Sequence, residues 1–333
     1  MKTIILCGDP NSYHTVYAPV VKERLMRLAD CDGVRYTKAD VLADSEKFAD
    51  TEYIFSTWGM SAFTEDEIKT YLPSLKAVFY GAGSVQGFAR PFIHCGVKVF
   101  SAWAANAVPV AEYTVAQIIL AGKDFYVQSR LLGQENRPTA QARHGGHFGN
   151  YRKKVGLIGC GMIGSLVAEM LKGYDLEVLA FDPFMSLEKA ARLGVKRASL
   201  AEIFSTCSVV SNHLANNKDT QKMLHYEYFS SMPPYATFIN TGRGAQVVEE
   251  DLVRALTERP DLTAVLDVTE PEPSPAGHPF YSLPNCFMTP HIAGSLGGEV
   301  VRMAEYMVDE YEALIAGLPV RYEVNLKMLE TMA

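Results

Sequence analysis

One stretch limits what this chain can fold into more than any other. Residues 153–182 open Lys-Lys-Val-Gly-Leu-Ile-Gly-Cys-Gly-Met-Ile-Gly and close on Phe181-Asp182. Val155 to Ile158 is a short apolar run of β character. Gly159, Gly161 and Gly164 follow as G-x-G-x-x-G. Ile163, Leu166, Val167, Met170 and Leu171 then fall on one face at helical spacing. Gly173, free to take a positive φ, reads as the stop. Val178 to Phe181 is a second strand, and Asp182 ends it. In such a unit the first glycine permits the tight turn. The second lets the backbone approach a pyrophosphate, and the third lets helix and strand pack closely. The helix N-terminus offers free N–H groups and a positive dipole end to phosphates. A carboxylate about 20 residues on accepts from both ribose hydroxyls. A glycine turn in some other α/β domain is the plain alternative, but strand, glycines, helix, strand and acid stand here in order. No Arg or Lys occurs at Pro183, Phe184 or Met185. An acid without a nearby base repels a 2′-phosphate, so NAD is favoured over NADP.

The 333 residues suit two domains, with ordinary globular composition. A formal charge of −7 gives no electrostatic reason to expect nucleic acid or an anionic membrane as partner. The six cysteines are scattered with no C-x-x-C pair, and read as reduced thiols of a cytoplasmic protein. The N-terminus lacks the pattern of a signal peptide, and no segment reads as long enough to span a membrane.

Residues 1–101 read as a small α/β domain. Strands are expected at Thr3–Cys7, Tyr53–Ser56, Leu75–Tyr80 and Val97–Phe100. Gly8 to Asn11 reads as a turn, a helix runs about Ala18 to Ala29, and Thr64 with Glu67 forms a capping box. Gly81 to Ser84 follows a strand. Its backbone N–H groups either hold a substrate carboxylate or make a simple strand-to-helix turn. Asn106 to Phe125 is a long helical pattern connecting the domains. The polar stretch 126–150 reads as a solvated or subunit-wrapping arm. His144 and His147 within it lack further ligands at metal spacing, so no metal is expected. Beyond the glycine motif, Ser199 and Glu202 form a capping box. Strands at 208–211, 236–240, 264–267 and 286–288 bring the second domain to six, enough for a doubly wound sheet. The amphipathic segment from about Leu296 to Ala316 is read as returning to cover the first domain.

Three polar residues stand just beyond strand ends: Arg243, Glu272 and His291. In a doubly wound sheet that edge binds ligands. Hydride chemistry on a carbonyl needs a proton donor, and histidine titrates near working pH. A carboxylate beside it fixes the tautomer, and a guanidinium holds a substrate carboxylate. A surface ion pair for the arginine and a structural role for the histidine remain open on spacing alone.

Residues 155–182, Ser211 to Thr220, Ile239 to Gly244, Leu266 to Pro273 and Thr289 to Gly294, in that order, resemble the D-isomer-specific 2-hydroxyacid dehydrogenases. The resemblance covers nearly the whole chain and is specific in the second half. It implies that Arg243 binds the substrate carboxylate and keto oxygen, that His291 is the acid/base and that Glu272 is its partner; Glu270 is the rival for that role, but Glu272 aligns with the family glutamate that precedes the second proline. It places Gly159, Gly161, Met162, Ile163, Gly164, Asp182, Thr241, Asp267 and Gly294 at bound NAD, with Asp267 accepting from the nicotinamide amide. It gives Ala82 and Gly83 to the substrate carboxylate. The expected architecture is a Rossmann-type doubly wound parallel sheet for NAD, residues 102–295. It is inserted into a smaller flavodoxin-like α/β substrate domain, residues 1–101 and 296–333. The expected partners are a small 2-keto or 2-hydroxy acid and a second copy in a homodimer. The basic residue of phosphoglycerate-acting members is not evident in the first domain, where Ser56 to Met60 carries Trp58 and Met60. These either line an apolar side pocket or pack between domains. An NADH-sensing corepressor of the same fold is the rival reading. Formate dehydrogenase is disfavoured, because that group carries Gln where Glu272 stands.

Overall fold

Short runs of β-branched and aromatic residues flanked by glycine and polar turns become strands wherever both faces can be covered. In the computed structural model, which describes residues 1–133 and 148–330, this happens in two compact units. One is Met1–Asn106 with Ser295–Ala333, the other Ala107–Gly294. Against the expected breaks after 101 and 295, the first passage falls inside a helix, Trp103–Ala121. His144, His147 and the middle of the expected arm lie outside the described residues.

The first unit is built on a six-stranded sheet. Its order is Glu323–Val324, Lys98–Ser101, Ala77–Tyr80, Tyr53–Ser56, Thr3–Leu6 and Arg35–Tyr36. Only Glu323–Val324 runs antiparallel to its neighbour. The period of two separates the faces. Ile54, Val78 and Val99 look one way, into a core with Phe88 and Phe92. Phe55, Phe79 and Phe100 look the other, stacked at 4.8–4.9 Å and met edge-on by Tyr311. Tyr311 belongs to the helix Val300–Ile315, which packs its Met303, Met307 and Val308 on this face. The expected turn at Gly8 to Asn11 is instead a helix start. Asp9 accepts the N–H groups of Asn11 and Ser12 and caps Pro10–Val16. Aspartate before proline is as good a cap-and-first-turn pair as it is a turn.

The second unit holds a seven-stranded, wholly parallel sheet. Its order is Cys286–Met288, Thr263–Leu266, Thr237–Asn240, Val209–Asn212, Lys154–Ile158, Glu177–Phe181 and Lys196–Arg197. Chain order reverses between Lys154–Ile158 and Val209–Asn212, the switch point at which such sheets bind ligands. The seventh strand, beyond the six expected, is an exposed two-residue edge without apolar content to betray it. Apolar layers cover both faces, one around Phe204, Phe229 and Phe238, the other around Val167, Leu171 and Ile118.

Two further expectations are corrected. The helix Met162–Leu171 closes through Lys172 in ordinary helical conformation, and Gly173 is not among the glycines of positive φ. Trp103–Ala121 is long and apolar enough to cross a membrane by length and composition. Its Ala111, Val115, Ile118 and Ala121 are spent on the second unit's core. The chain then starts a separate helix, Phe125–Gly133, within the stretch expected to be an arm.

Candidate active site

The glycine loop shows why each glycine is there. Gly159 has φ +88°, and a Cβ on it would lie 2.7 Å from the carbonyl oxygen of His213. A Cβ on Gly164 would lie 2.0 Å from the Gly159 carbonyl oxygen. The protein's own packing therefore demands both. A Cβ on Gly161 would meet nothing within 4 Å. The fold leaves that space open, as the approach of a pyrophosphate requires. The helix behind it, with Met162 and Ile163 in its first turn, has no side-chain cap. Its leading N–H groups remain available to phosphate oxygens.

Asp182 ends the next strand and is tied to the same loop. One carboxylate oxygen accepts the Cys160 N–H at 3.0 Å and the other the Phe184 N–H at 2.8 Å. An open cleft of about 390 Å³ beside it is lined by Asp182, Leu187, Arg197, Ala198 and Glu202 among others. Arg197 arrives from the sheet edge, beyond the reach of a reading confined to the residues next to Asp182. Lys189 donates to the Cys160 carbonyl. The Cys160 thiol itself is buried, which pushes its pKa up to about 11, and it is an inert small residue of the loop. The glycine loop, the uncapped helix and the acid together fit an adenine dinucleotide.

Arg243, Glu272 and His291 follow three strands that are neighbours in the sheet: Thr237–Asn240, Thr263–Leu266 and Cys286–Met288. The His291 Nδ1 lies 2.6 Å from Glu272 Oε1. Arg243 is partly buried, which lowers its pKa, while the negative charge of Glu272 opposes that fall. Its guanidinium donates to the Gly242 carbonyl at 2.8 Å. The structure thus gathers a cation, an imidazole and a carboxylate at one sheet edge.

Asp267 is 2 % exposed. One of its oxygens accepts from Thr289 Oγ1 at 2.6 Å and from the Ile292 N–H at 2.8 Å, and the other from the Ala293 N–H at 2.9 Å. Its carbonyl accepts the His291 N–H at 3.0 Å. Asp267 is therefore the anchor of the histidine loop, a part that strand-end position alone does not reveal. Tyr113 hydrogen-bonds Thr289 at 2.9 Å, and Thr241 is buried against Thr114 at 3.1 Å. Gly294 is the last residue of this unit.

A carboxamide network that the sequence reading missed shapes the arginine loop. Asn212 Nδ2 donates to Asn240 Oδ1 at 3.0 Å and to Gln246 Oε1 at 2.5 Å. Asn240 accepts the Gly242 N–H at 3.1 Å and donates to the Arg243 carbonyl at 3.1 Å. The available signal was an asparagine closing each of two adjacent strands. His213 was also missed. It is buried, with Nε2 3.0 Å from Ser211 Oγ, and burial alone lowers its pKa to about 4.

Ala82 and Gly83 belong to the other unit. Ala82 is fully buried, and Ser101 Oγ donates to both their carbonyls. Thr57 Oγ1 donates to the Gly81 carbonyl at 2.9 Å. Among the described residues no group of His, Cys, Asp and Glu is placed to hold a metal ion.

Residues 117–293 match the model of the D-isomer specific 2-hydroxyacid dehydrogenase NAD binding domain. A D-3-phosphoglycerate dehydrogenase of Archaeoglobus fulgidus is 30 % identical over 235 residues, 71 % of this chain and 44 % of that protein. The chain spans under half the length of such relatives. A formate dehydrogenase of Neurospora crassa is 31 % identical over 261 residues, 75 % of this chain and 69 % of that protein. Among solved structures, apo D-mandelate dehydrogenase of Rhodotorula graminis superposes with a TM-score of 0.81 at 20 % identity, over 97 % of both chains. A phosphoglycerate oxidoreductase from Rhizobium etli gives 0.82 at 19 %, over 98 % of this chain and 99 % of that one. These two share the fold. With the matched family model covering more than half of the sequence, the chain belongs to the D-isomer-specific 2-hydroxyacid dehydrogenase family, and its second unit is that family's NAD-binding domain.

Proposed function

We propose that the protein is an NAD-dependent oxidoreductase that interconverts a small 2-keto acid and its D-2-hydroxy acid. The observation that carries this reading is the 2.6 Å pairing of His291 with Glu272 beside the cation of Arg243. NADH, when bound, supplies the hydride. The guanidinium of Arg243 holds the substrate carboxylate and polarises the neighbouring carbonyl. His291 gives the proton that turns the reduced carbonyl oxygen into a hydroxyl, and takes it back in oxidation. Glu272 accepts from Nδ1–H, which fixes the ring and leaves Nε2 for the substrate. Ala82 and Gly83 are proposed for the substrate carboxylate.

Trp58 supports a substrate with an apolar side chain. It follows the strand Tyr53–Ser56, is 39 % exposed, and has no basic neighbour from Thr57 to Met60. Met60 packs against the first unit's own core, so the indole alone is free for this purpose. A phosphorylated substrate would meet no cation on that loop. All six cysteines are free thiols, which suits a cytoplasmic enzyme. Exposed Phe125, Leu132 and Tyr151 in one stretch support a homodimer, which light scattering would test.

The deciding experiment is NADH oxidation against glyoxylate, hydroxypyruvate, pyruvate, branched and aromatic keto acids and phosphohydroxypyruvate. An apolar keto acid is expected to turn over best, and His291→Ala to lower kcat by about 10²–10⁴-fold. Unchanged turnover in that variant would sink the mechanism. Tight NADH binding without turnover of any member would favour an NADH-sensing role instead.

A further inference from the structure

The loop that carries Glu272 is held from behind by groups that touch none of the three proposed reacting residues. Glu249 is the first residue of the helix Glu249–Glu258 and is 9 % exposed. Its Oε1 accepts the Glu270 N–H at 2.8 Å. Its Oε2 lies 3.5 Å from His278 Nε2. The His278 Nδ1 accepts the Phe280 N–H at 3.3 Å, which assigns the ring proton to Nε2, facing the carboxylate. Glu249 is also joined to the arginine loop through the chain, by the turn Gly244–Gln246 and two valines. That turn meets the glutamate loop backbone to backbone. A Cβ on Gly244 would lie 2.1 Å from the Thr269 carbonyl carbon and 2.5 Å from the Glu270 nitrogen.

We propose that Glu249 is a positioning residue, stapling the Glu270–Glu272 turn to the Gly244 turn so that Glu272 and Arg243 keep their spacing. The proposal rests on the reading of Arg243, Glu272 and His291 as the acting set. The site calls for a strong acceptor. The Glu270 N–H is held at a partly buried point between acids, where a donor left unpaired is costly. The groups facing Glu249 are Glu250 on its own helix, Glu270 on the stapled loop, His278 beyond it and the Cys286 thiol on the edge strand. Burial first, then the charges of Glu250 and Glu270, raise the carboxyl pKa, while the Glu270 N–H opposes the rise.

The test is a double-mutant cycle of Glu249→Ala with Glu272→Gln, alongside His291→Ala, in the full chain. Readouts are kcat and KM for the best keto acid, the pH profile of kcat, and the NADH dissociation constant by fluorescence. Glu249→Ala is expected to lower kcat about 10–100-fold and leave NADH affinity within twofold. In the Glu272→Gln background its cost should shrink, since the carboxylate whose spacing from Arg243 it keeps is gone. Glu249→Gln keeps the acceptor oxygen and should recover most of kcat. Glu249→Asp withdraws the acceptor by one methylene and replaces Ala if that variant does not fold, with a loss of about 3–10-fold. An equal cost of the Glu249 change in both backgrounds, or no loss of kcat while His291→Ala is inactive, overturns the positioning role and leaves the reaction standing. Full activity of His291→Ala overturns both.

Discussion

His291 sits at φ +54°, a region that a residue with a Cβ enters at a cost of about 1–2 kcal/mol. The surrounding hydrogen bonds hold it there. Asp267 receives the N–H groups of His291, Ile292 and Ala293 and the hydroxyl of Thr289 on one carbonyl and one carboxylate. Removing that carboxylate orphans three donors at once, so Asp267→Ala is expected to lower stability by about 2–4 kcal/mol in urea unfolding. It should also lower kcat by releasing the histidine loop, and native stability in that variant would refute the anchor. His213 makes the opposite kind of statement. Its folded pKa is about 4 against an ordinary 6.5, so the unfolded chain takes up the proton first. The stability it contributes is fully present above pH 6.5 and is lost as pH falls through that value toward 4, about 3 kcal/mol in all. His213→Asn should flatten the pH dependence of unfolding between pH 7 and 4.5 by up to one proton. An unchanged slope would place that proton uptake elsewhere.

At the scale of elements, the glycine loop separates two demands that the sequence motif presents as one. Gly164→Ala drives a methyl into the Gly159 carbonyl, so the helix must move off its strand, and the variant should melt well below the parent. Gly161→Ala meets open space, so it should melt normally and yet bind NADH at least tenfold more weakly. A Gly161→Ala protein with parental NADH affinity would show that the pyrophosphate lies elsewhere. The same contrast explains what was legible beforehand. The central strands read directly because they are buried on both faces and carry continuous apolar runs, as in Tyr53–Ser56 and Ala77–Tyr80. Thr64 and Glu67 form the reciprocal box their spacing announces, whereas of Ser199 and Glu202 only the Ser199 acceptance from the Glu202 N–H is made. Lys196–Arg197 was invisible because an exposed edge strand needs no apolar residue. The motif and the order of strand ends led to Arg243, Glu272 and His291. The groups that hold them did not show as such, because Asn212, Gln246, Glu249 and Asp267, the last expected only at the cofactor, act through contacts 21 to 34 residues apart in sequence. Periodicity reports which face of an element is buried, and carries no information on which loop a buried carboxylate will meet.

For the molecule as a whole, the residues proposed for the cofactor lie within one contiguous stretch, while the first unit is assembled from both ends of the chain. A ligand that binds only the folded second unit must stabilise it by mass action, about 2.7 kcal/mol at a hundredfold excess over its dissociation constant. That stabilisation has an address. NADH should slow amide exchange first at the loop 159–165, where the first-turn N–H groups of Met162–Leu171 have no side-chain cap, and at 182–184, where Asp182 braces the loop. The helix Val300–Ile315, packed on the sheet of the other unit, makes none of these contacts and serves as the internal reference. Hydrogen exchange with and without NADH reads both at once. Slowed exchange at 159–165 against an unmoved 300–315 locates the cofactor where the glycines, the uncapped helix and the acid converge. Equal slowing everywhere would report global stabilisation without a site, and unmoved exchange at 159–165 under saturating NADH would refute the placement.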